Sequence, residues 1–433
     1  MTDDVLSRIR AASVRQKVCV LGIVLTVIAA GVVILYPDQS YGDEYLFPEM
    51  HIDTIGGKKI DSKEQYVDCT VSVEEDGVVT LNDATGGIRG RGNSTWAQTS
   101  WWDMPKKPYK IKFDVPTELF GHGAYQKWNL IADYADESLS RNYMAYSLGA
   151  AIGIEGVSSV QHVNLFVNGI YQGVYLLCDQ IEPGPDRVDI DDDASSADFG
   201  FIVEMNGLAA EEGIYGFDTF DIGDHTYTIK SPDTSLVWGD AQFEYVRSTM
   251  QEVNDALESG DWSRVEAVID TQSFAKTYVI EELMHDIDIN WSSFFFHKDR
   301  GGKVTSGPIW DYDISSGNIG ILGQNSPEEL YIAHKSDWYR MFLSYPEFKD
   351  LVGVVVSTYS ETLRNTIDGC EDYLRGYADD FRRNFERWPT MGSLVASNPE
   401  EFLFMRTWDD HLTFVVNWLE DSLDNLIEDY PAP

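Results

Sequence analysis

The sequence predicts an α+β fold of two lobes, with a β-rich first lobe, a helical second lobe and one hydrophobic helix ahead of both. Three observations lead to this prediction. Residues 18–36 carry no charge, alternating apolar and polar residues recur in the first half of the remaining chain, and apolar residues three and four positions apart recur in the second half. Of the 433 residues, 43% are hydrophobic, so the chain can fill a large core.

The segment 18–36 has the length and composition of a transmembrane helix. As a helix it would extend ~28 Å, which is close to the thickness of the hydrocarbon core of a bilayer. Basic residues precede it and acidic residues follow it, so the positive-inside rule places residues 1–17 in the cytoplasm. A cleaved signal peptide is the alternative, but its apolar region usually has only ~7–15 residues. We therefore predict a single-pass protein of the cell membrane with an extracytoplasmic domain over residues 45–433.

The charge and the cysteines restrict the function. The chain has 72 acidic and 32 basic residues and a net charge of −40. Such a surface repels nucleic acid, so we predict no nucleic-acid partner. Cys69, Cys178 and Cys370 follow the predicted span, and their wide separation is unlike the close pairs of zinc sites. Their disulfide state stays open.

The first half contains four segments with the alternation of strands and one candidate helix. Asn168-Gly169 separates the last two strands and predicts a tight hairpin. Ser138 is a candidate N-cap for a helix that ends near Ile152. The predicted strands are 66–73, 108–115, 163–169 and 171–177.

The second half reads mainly as helices. Between the second and third of them, residues 294–313 predict a strand, a Gly-Gly turn, a second strand and a polar loop. Because a β-rich lobe then precedes a helical lobe, we expect the catalytic residues to meet in the cleft between the lobes. The candidate helices are 241–258, 273–285, 346–384 and 409–429, and the third is long enough for two helices.

Residues 86–96, GGIRGRGNSTW, form the first candidate site. Their four glycines would let the backbone approach a ligand, and Arg89, Arg91 and the main-chain amides could bind phosphate. The segment matches neither a Walker A loop nor a strict GxGxxG pattern, and glycine-rich stretches are common as turns. From the residues alone, both interpretations stay open.

Lys110 and Lys112 form the second candidate site. They are two positions apart on a predicted strand and therefore point to the same face. One of them could reach a nucleotide phosphate. The alternative is that both are solvated lysines on the exposed face of a half-buried sheet.

Two acidic segments, HDIDIN at 285–290 and WDYD at 310–313, bracket the predicted hairpin. In metal-assisted phosphoryl transfer, one carboxylate orients the attacking hydroxyl and accepts its proton, and a second holds Mg²⁺ against the phosphates. Asp288 and Asp311 have the residue type for these two roles. With 72 acids in the chain, turn-forming or surface acids are the alternative.

Five separated motifs then occur in a fixed order. Taken together, they resemble the spore-coat protein CotH family over about residues 85–320. Members of that family are similar to protein kinases in fold and transfer phosphate from ATP to serine with a divalent metal. The resemblance implies a bilobal protein-kinase-like fold and an atypical Ser/Thr protein kinase that uses ATP and Mg²⁺ or Mn²⁺. The motifs are RGRGNSTW, KKPYKIKFD, KWNLIADYADESLSRNYMAYSLG, VNLFVNGIYQGVYLL and WDYD.

The resemblance also implies roles for the acids. Asp288 matches the catalytic aspartate of the family, and Asp311 matches the metal-binding aspartate of its WDY or WDF motif. Asp313 is a second metal candidate. Ile289 stands where the family often has glycine, and Ser293 stands where some members have asparagine, which puts the number of bound metal ions in doubt.

For the nucleotide, the resemblance implies a basic set. Arg91 matches the arginine of the RGN motif of the family, and either Lys110 or Lys112 takes the phosphate-contacting role of a kinase strand lysine. The expected partners are ATP, Ser/Thr protein substrates and, through the N-terminal helix, the membrane.

Two other functions remain in view. One is a catalytically silent kinase-like scaffold of the cell envelope, against which Asp288 and Asp311 argue. The other is carbohydrate binding, because aromatic faces stack on sugar rings; the residues that suggest it are Trp96, Trp101, Trp102 and Tyr109. The chain lacks the GxSxG and HExxH motifs of hydrolases and metalloproteases.

Overall fold

The computed structural model describes residues 44–433 apart from six gaps. The chain divides at residue 45, and all the elements below belong to the second unit, Leu46–Pro433. The gaps are 93, 97–103, 212–217, 234–238, 321–325 and 396–397.

Seven strands of the first half form a closed barrel in the order β1-β2-β3-β4-β5-β7-β6. Neighbouring strands are antiparallel except β1 and β6, whose parallel pairing closes the ring. Helix α1, Arg141–Ala151, connects β5 to β6. The strands are β1 Glu49–Thr54, β2 Val67–Glu75, β3 Val78–Gly90, β4 Tyr109–Glu118, β5 Ala124–Ile131, β6 Val160–Val167 and β7 Ile170–Asp179.

Alternation along β4 shows how the sequence selects the inside of the barrel. Ile111 and Phe113 are buried within it, and Lys110 and Lys112 lie on the opposite face of the strand, as a two-residue period requires. The predicted hairpin at Asn168-Gly169 is confirmed, because β6 and β7 pair on either side of it. Strand β4 therefore presents Lys110 and Lys112 on the outside of the barrel.

The second half combines a five-stranded sheet with helices. The strands, in the order β12-β11-β8-β10-β9, are β8 Phe201–Met205, β9 Thr219–Ile222, β10 His225–Ser231, β11 Phe294–Lys298 and β12 Val304–Ser306. The helices are α2 Gly207–Glu211, α3 Asp240–Glu258, α4 Trp262–Val268, α5 Thr271–Met284, α6 Ile332–Lys335, α7 Asp337–Phe342, α8 Pro346–Gly376, α9 Ala378–Arg387 and α10 Trp408–Asp429. The predicted long helix at 346–384 is thus two helices, α8 and α9.

Helix α5 places one of the acidic segments. Asp270 caps its first turn by accepting hydrogen bonds from the backbone N–H groups of Gln272 and Ser273. Its last turns are buried, and it ends at His285, which has a left-handed φ of 52°. The reversal at His285 directs the chain into the loop that carries Asp288.

The prediction of a bilobal protein-kinase-like fold preceded by a transmembrane helix is wrong. The fold is mixed α+β, but its first half closes into a barrel and its second half contains a sheet of its own. The reason lies in long-range pairing. Glu49 pairs with Asn164 to close the barrel, and β8 pairs with β11 across some ninety residues of sequence. Neither pairing leaves a local sequence signal.

The predicted location also needs correction. No helix in the described part of the chain combines the length and the apolar composition needed to cross a bilayer. The segment 18–36 lies outside the described residues. The prediction of a single-pass membrane protein has no support in the described helices, and it is withdrawn.

Candidate active site

A buried ion pair ties together the two loops that carry most of the acids. Asp136 lies between β5 and α1, and its carboxylate accepts hydrogen bonds from the backbone N–H groups of Ser138, Ser140 and Arg141 at 2.9 Å each. The fully buried Arg141 guanidinium pairs with the same carboxylate. It also donates from Nε to the Ser315 carbonyl oxygen at 2.9 Å. Burial raises the pKa of Asp136, but Arg141 and the hydrogen bonds outweigh it, so the net pKa lies below the ordinary value.

The WDYD segment, which follows β12, is fixed from several sides. Asp311 has a left-handed φ of 76°, and its backbone N–H donates to the Tyr146 hydroxyl at 3.3 Å. The Tyr312 N–H donates to Oδ1 of Asn142 at 2.8 Å, and Asn142 in turn donates to Asp133 at 2.7 Å. A non-glycine residue with positive φ is uncommon and costs conformational energy. These contacts hold the Asp311 backbone in that conformation.

Asp288 lies in a tight turn directly after α5. Its carbonyl oxygen accepts from the Trp291 N–H at 2.6 Å, and its own N–H donates to Oδ1 of Asp286 at 3.1 Å. Among the described residues, none donates a hydrogen bond to the carboxylate of Asp288 or of Asp313, whereas Asp311 accepts from the Ser293 hydroxyl at 3.3 Å. Two half-buried carboxylates are therefore left without donors among the described residues.

The pKa directions show that these acids lie close together. Burial, together with the charge of Asp311, raises the pKa of Asp288 to about 6, and the charge of Lys335 opposes the rise. Burial also raises the pKa of Asp313 well above its ordinary value, and Asp311, Asp133 and further acids add to the shift. Like charges at short range disfavour ionisation of one another. The structure therefore brings Asp288, Asp311 and Asp313 into one acidic cluster.

A basic cluster lies on the barrel side. Burial, together with the neighbouring charges of Arg89, Lys127 and Arg91, lowers the pKa of Lys110 to about 7, and the charge of Glu182 opposes the shift. The ammonium group of Lys110 has no hydrogen bond or ion pair within the described part of the chain. A half-buried ammonium surrounded by other cations is poised to bind an anion.

Arg91 connects the two clusters. Its guanidinium lies 5.2 Å from the centre of the Trp310 ring, immediately before Asp311. Its charge lowers the pKa of Lys110 and opposes the burial-driven rise in the pKa of Asp311. One side chain can act on both groups only if the basic and acidic clusters are neighbours.

The structure distinguishes the two candidate lysines. Lys112 is exposed, and its backbone pairs with Gly87 on β3 and with Lys127 on β5. Lys110, opposite Arg89, is the half-buried member of the pair. The sequence left open which of the two lysines could contact phosphate, and the partial burial of Lys110 favours it over Lys112.

The glycine-rich segment is mostly strand. Gly86 and Gly87 lie in β3, between β2 and β4, so their backbone groups face strand neighbours on both sides. A Cβ on Gly90 would lie 2.2 Å from the Trp96 ring, so this glycine makes room for tryptophan. The segment therefore offers the side chain of Arg91 to a ligand, and its glycines serve sheet packing.

The aromatic residues behind the carbohydrate interpretation also have packing roles. The Trp96 ring covers Gly90 and its Nε1 donates to the Pro108 carbonyl oxygen at 3.3 Å. The Tyr109 ring stacks on Tyr175, with ring centres 6.1 Å apart. Trp101 and Trp102 lie outside the described residues.

The residues fit a metal ion that takes some of its ligands from the protein and the others from a nucleotide. Oδ1 of Asn318 is buried without a hydrogen-bond partner, and its Nδ2 donates to the Asp313 carbonyl oxygen at 2.6 Å. Within the described ranges, no three His, Cys, Asp or Glu side chains form a group that could hold one ion. Mg²⁺ is commonly bound by one or two carboxylates together with substrate phosphates and water. Asp311 and Asp313 could supply that share of the ligands.

Comparison with known protein families identifies the family of the chain. Residues 88–426, most of the chain, match the family model described as CotH kinase protein. The chain belongs to the CotH family. A search of curated proteins found no match. The family resemblance in the sequence is confirmed, and the match includes every candidate residue from Arg91 to Asp313.

Sequence reasoning missed several residues of this CotH family site. Asp133, Asp136 and Arg141 lie within its third motif, but a polar run between a strand and a helix reads as a surface loop. Lys106, whose Nζ donates to the Val174 carbonyl oxygen at 2.5 Å, is also buried, and burial lowers its pKa to about 7 while Asp133 and Asp136 oppose the shift. The one available signal was the density of charged residues in a motif that the family shares.

Proposed function

We propose that this CotH family protein is a metal-dependent protein kinase that transfers the γ-phosphate of ATP to serine or threonine of protein substrates. The observation that supports it most strongly is the position of Arg91, whose charge acts on both Lys110 and Asp311. Phosphoryl transfer needs cations that bind phosphate next to carboxylates that hold a metal ion and accept a proton.

On the acidic side, Asp288 would act as the general base. Its carboxylate has no hydrogen-bond donor among the described residues, and its raised pKa suits a group that accepts a proton near neutral pH. Asp311 and Asp313 would hold the divalent ion, which supplies neutralisation of phosphate charge when bound. The Asp136–Arg141 pair would keep the loop that carries them in place.

On the basic side, Lys110 and Arg91 would bind the phosphates. Lys110 has no ion-pair partner within the described residues, so an anion would relieve its repulsion by Arg89, Lys127 and Arg91. The guanidinium of Arg91, lying over Trp310, presents planar donors suited to phosphate oxygens.

Replacing Lys110 by methionine should weaken the binding of MgATP by about tenfold or more, since a charge-assisted contact to phosphate contributes about 1.5–3 kcal/mol. Lys112→Met is the matched control, because Lys112 lies on the same face but is exposed. Isothermal titration calorimetry on the full chain measures both affinities. Equal affinities for the two variants would show that Lys110 does not contact the nucleotide.

The pH dependence of transfer follows from Asp288. Its pKa, raised to about 6 by burial and by Asp311, means that the carboxyl is protonated below that pH and cannot accept the hydroxyl proton. We expect kcat/KM for a protein substrate to rise with pH through about 6 and then level off. An acid limb near the ordinary aspartate value of about 4 would contradict this assignment.

A further inference from the structure

Lys335 is a charged residue near the site to which no role has yet been given. It is the last residue of α6 and is half-buried. Within the described part of the chain, its ammonium group has no hydrogen bond or ion pair. Its charge acts on the Asp288 carboxylate, but the two groups form no ion pair among the described residues, so the ammonium group remains available to an anionic ligand.

Two hydrogen bonds place Lys335 beside the Asp288 turn. The Asp337 N–H donates to Oδ1 of Asn290 at 2.8 Å, and Nδ2 of Asn290 donates to Oδ2 of Asp337 at 3.2 Å. Asn290 follows Asp288 by two positions, and Asp337 follows Lys335 by two. These bonds therefore join the end of α6 to the turn that carries the candidate base.

The start of α6 is fixed to the same helix that ends at this turn. The buried Glu282 of α5 accepts hydrogen bonds from the backbone N–H groups of Tyr331, Ile332 and Ala333, at 2.8, 3.0 and 2.7 Å. Helix α6 is thus held at both ends against α5 and the residues that follow it. The charge of Lys335 in turn opposes the rise in the pKa of Asp288.

We propose that Lys335 is a further catalytic residue, whose ammonium group binds the oxygens of the phosphoryl group during transfer. The inference rests on the proposed function. The acceptor hydroxyl gives its proton to Asp288 as its oxygen bonds to the γ-phosphorus. The bond from that phosphorus to the bridging oxygen breaks, and ADP leaves with the electron pair. The ammonium group of Lys335 donates hydrogen bonds to the phosphoryl oxygens.

The test compares Lys335→Met and Lys335→Arg in the full chain in two series, one with saturating protein substrate and varied MgATP, and one with saturating MgATP and varied protein substrate. We expect Lys335→Met to lower kcat by about 10²-fold, as for the loss of one donor to a charged transition state. The KM for ATP should change much less, because Lys110 and Arg91 remain. Lys335→Arg should restore most of kcat, since it keeps the charge. Lys349→Met, an exposed lysine of α8, is the control and should match wild type.

The outcomes separate this inference from the proposed function. Wild-type transfer with an unchanged kcat for Lys335→Met overturns the role of Lys335 and leaves the kinase in place. A change confined to the KM for the protein substrate also overturns it, because it would place Lys335 in substrate recognition. Failure of wild type to transfer phosphate from ATP would overturn both.

Discussion

Replacing Asp288 by asparagine is expected to lower the rate of phosphate transfer by about 10²–10⁴-fold, the range typical of a lost general base. The amide keeps the shape of the side chain but cannot take the hydroxyl proton. Affinity for MgATP should stay close to that of wild type, because Lys110, Arg91 and Asp311 remain. Single-turnover transfer of labelled phosphate and calorimetric titration of ATP measure the two effects on the same preparation.

The control for this variant is Asp350→Asn. Asp350 is an exposed aspartate of α8, remote in sequence from the acidic cluster. The Asp350→Asn variant should transfer phosphate at the rate of wild type. If Asp288→Asn kept its transfer rate, Asp288 would not be the base, and if it lost ATP affinity equally, Asp288 would belong to the nucleotide contacts.

The second large effect concerns stability. Asp136→Asn should lower the free energy of unfolding by about 3–5 kcal/mol, because it leaves the buried Arg141 guanidinium without its counter-charge. Arg141→Met should also be strongly destabilising, since the Ser315 and Ser316 carbonyl oxygens each lose a donor. Urea denaturation at neutral pH measures both values.

The double variant Asp136→Asn/Arg141→Met tests whether this loss comes from the pair. Because both charges are removed together, its cost should be smaller than the sum of the two single costs. Arg247→Met breaks an exposed pair with Glu244 on α3 and should leave stability unchanged. Additive costs, or single variants as stable as wild type, would show that the pair does not hold the loops.

Local patterns predicted many of the elements. The alternation of apolar and polar residues around Lys110 predicted β4, and the Asn168-Gly169 pair predicted the hairpin of β6 and β7. Both signals lie within a few residues of the feature that they specify. The helix predicted from Ser138 to Ile152 is present as α1, although Ser140 precedes its first turn and Ser138 instead donates its hydroxyl to Asp136.

What the sequence did not predict depends on long-range contacts. The closure of the barrel needs β1 beside β6, and the second sheet needs β8 beside β11. Within the site, the sequence could not separate Lys110 from Lys112, because alternation puts both on one face and burial is decided by neighbouring strands. The burial of Arg141 was hidden for the same reason, since its partners Ser315 and Ser316 lie far along the chain.

The most direct test of the central claim is incubation of the full chain with γ-labelled ATP, Mg²⁺ or Mn²⁺, and a protein substrate. We predict label on serine or threonine that depends on the divalent cation and is absent with Asp288→Asn. A folded wild-type protein that transfers no label under any of these conditions would contradict it.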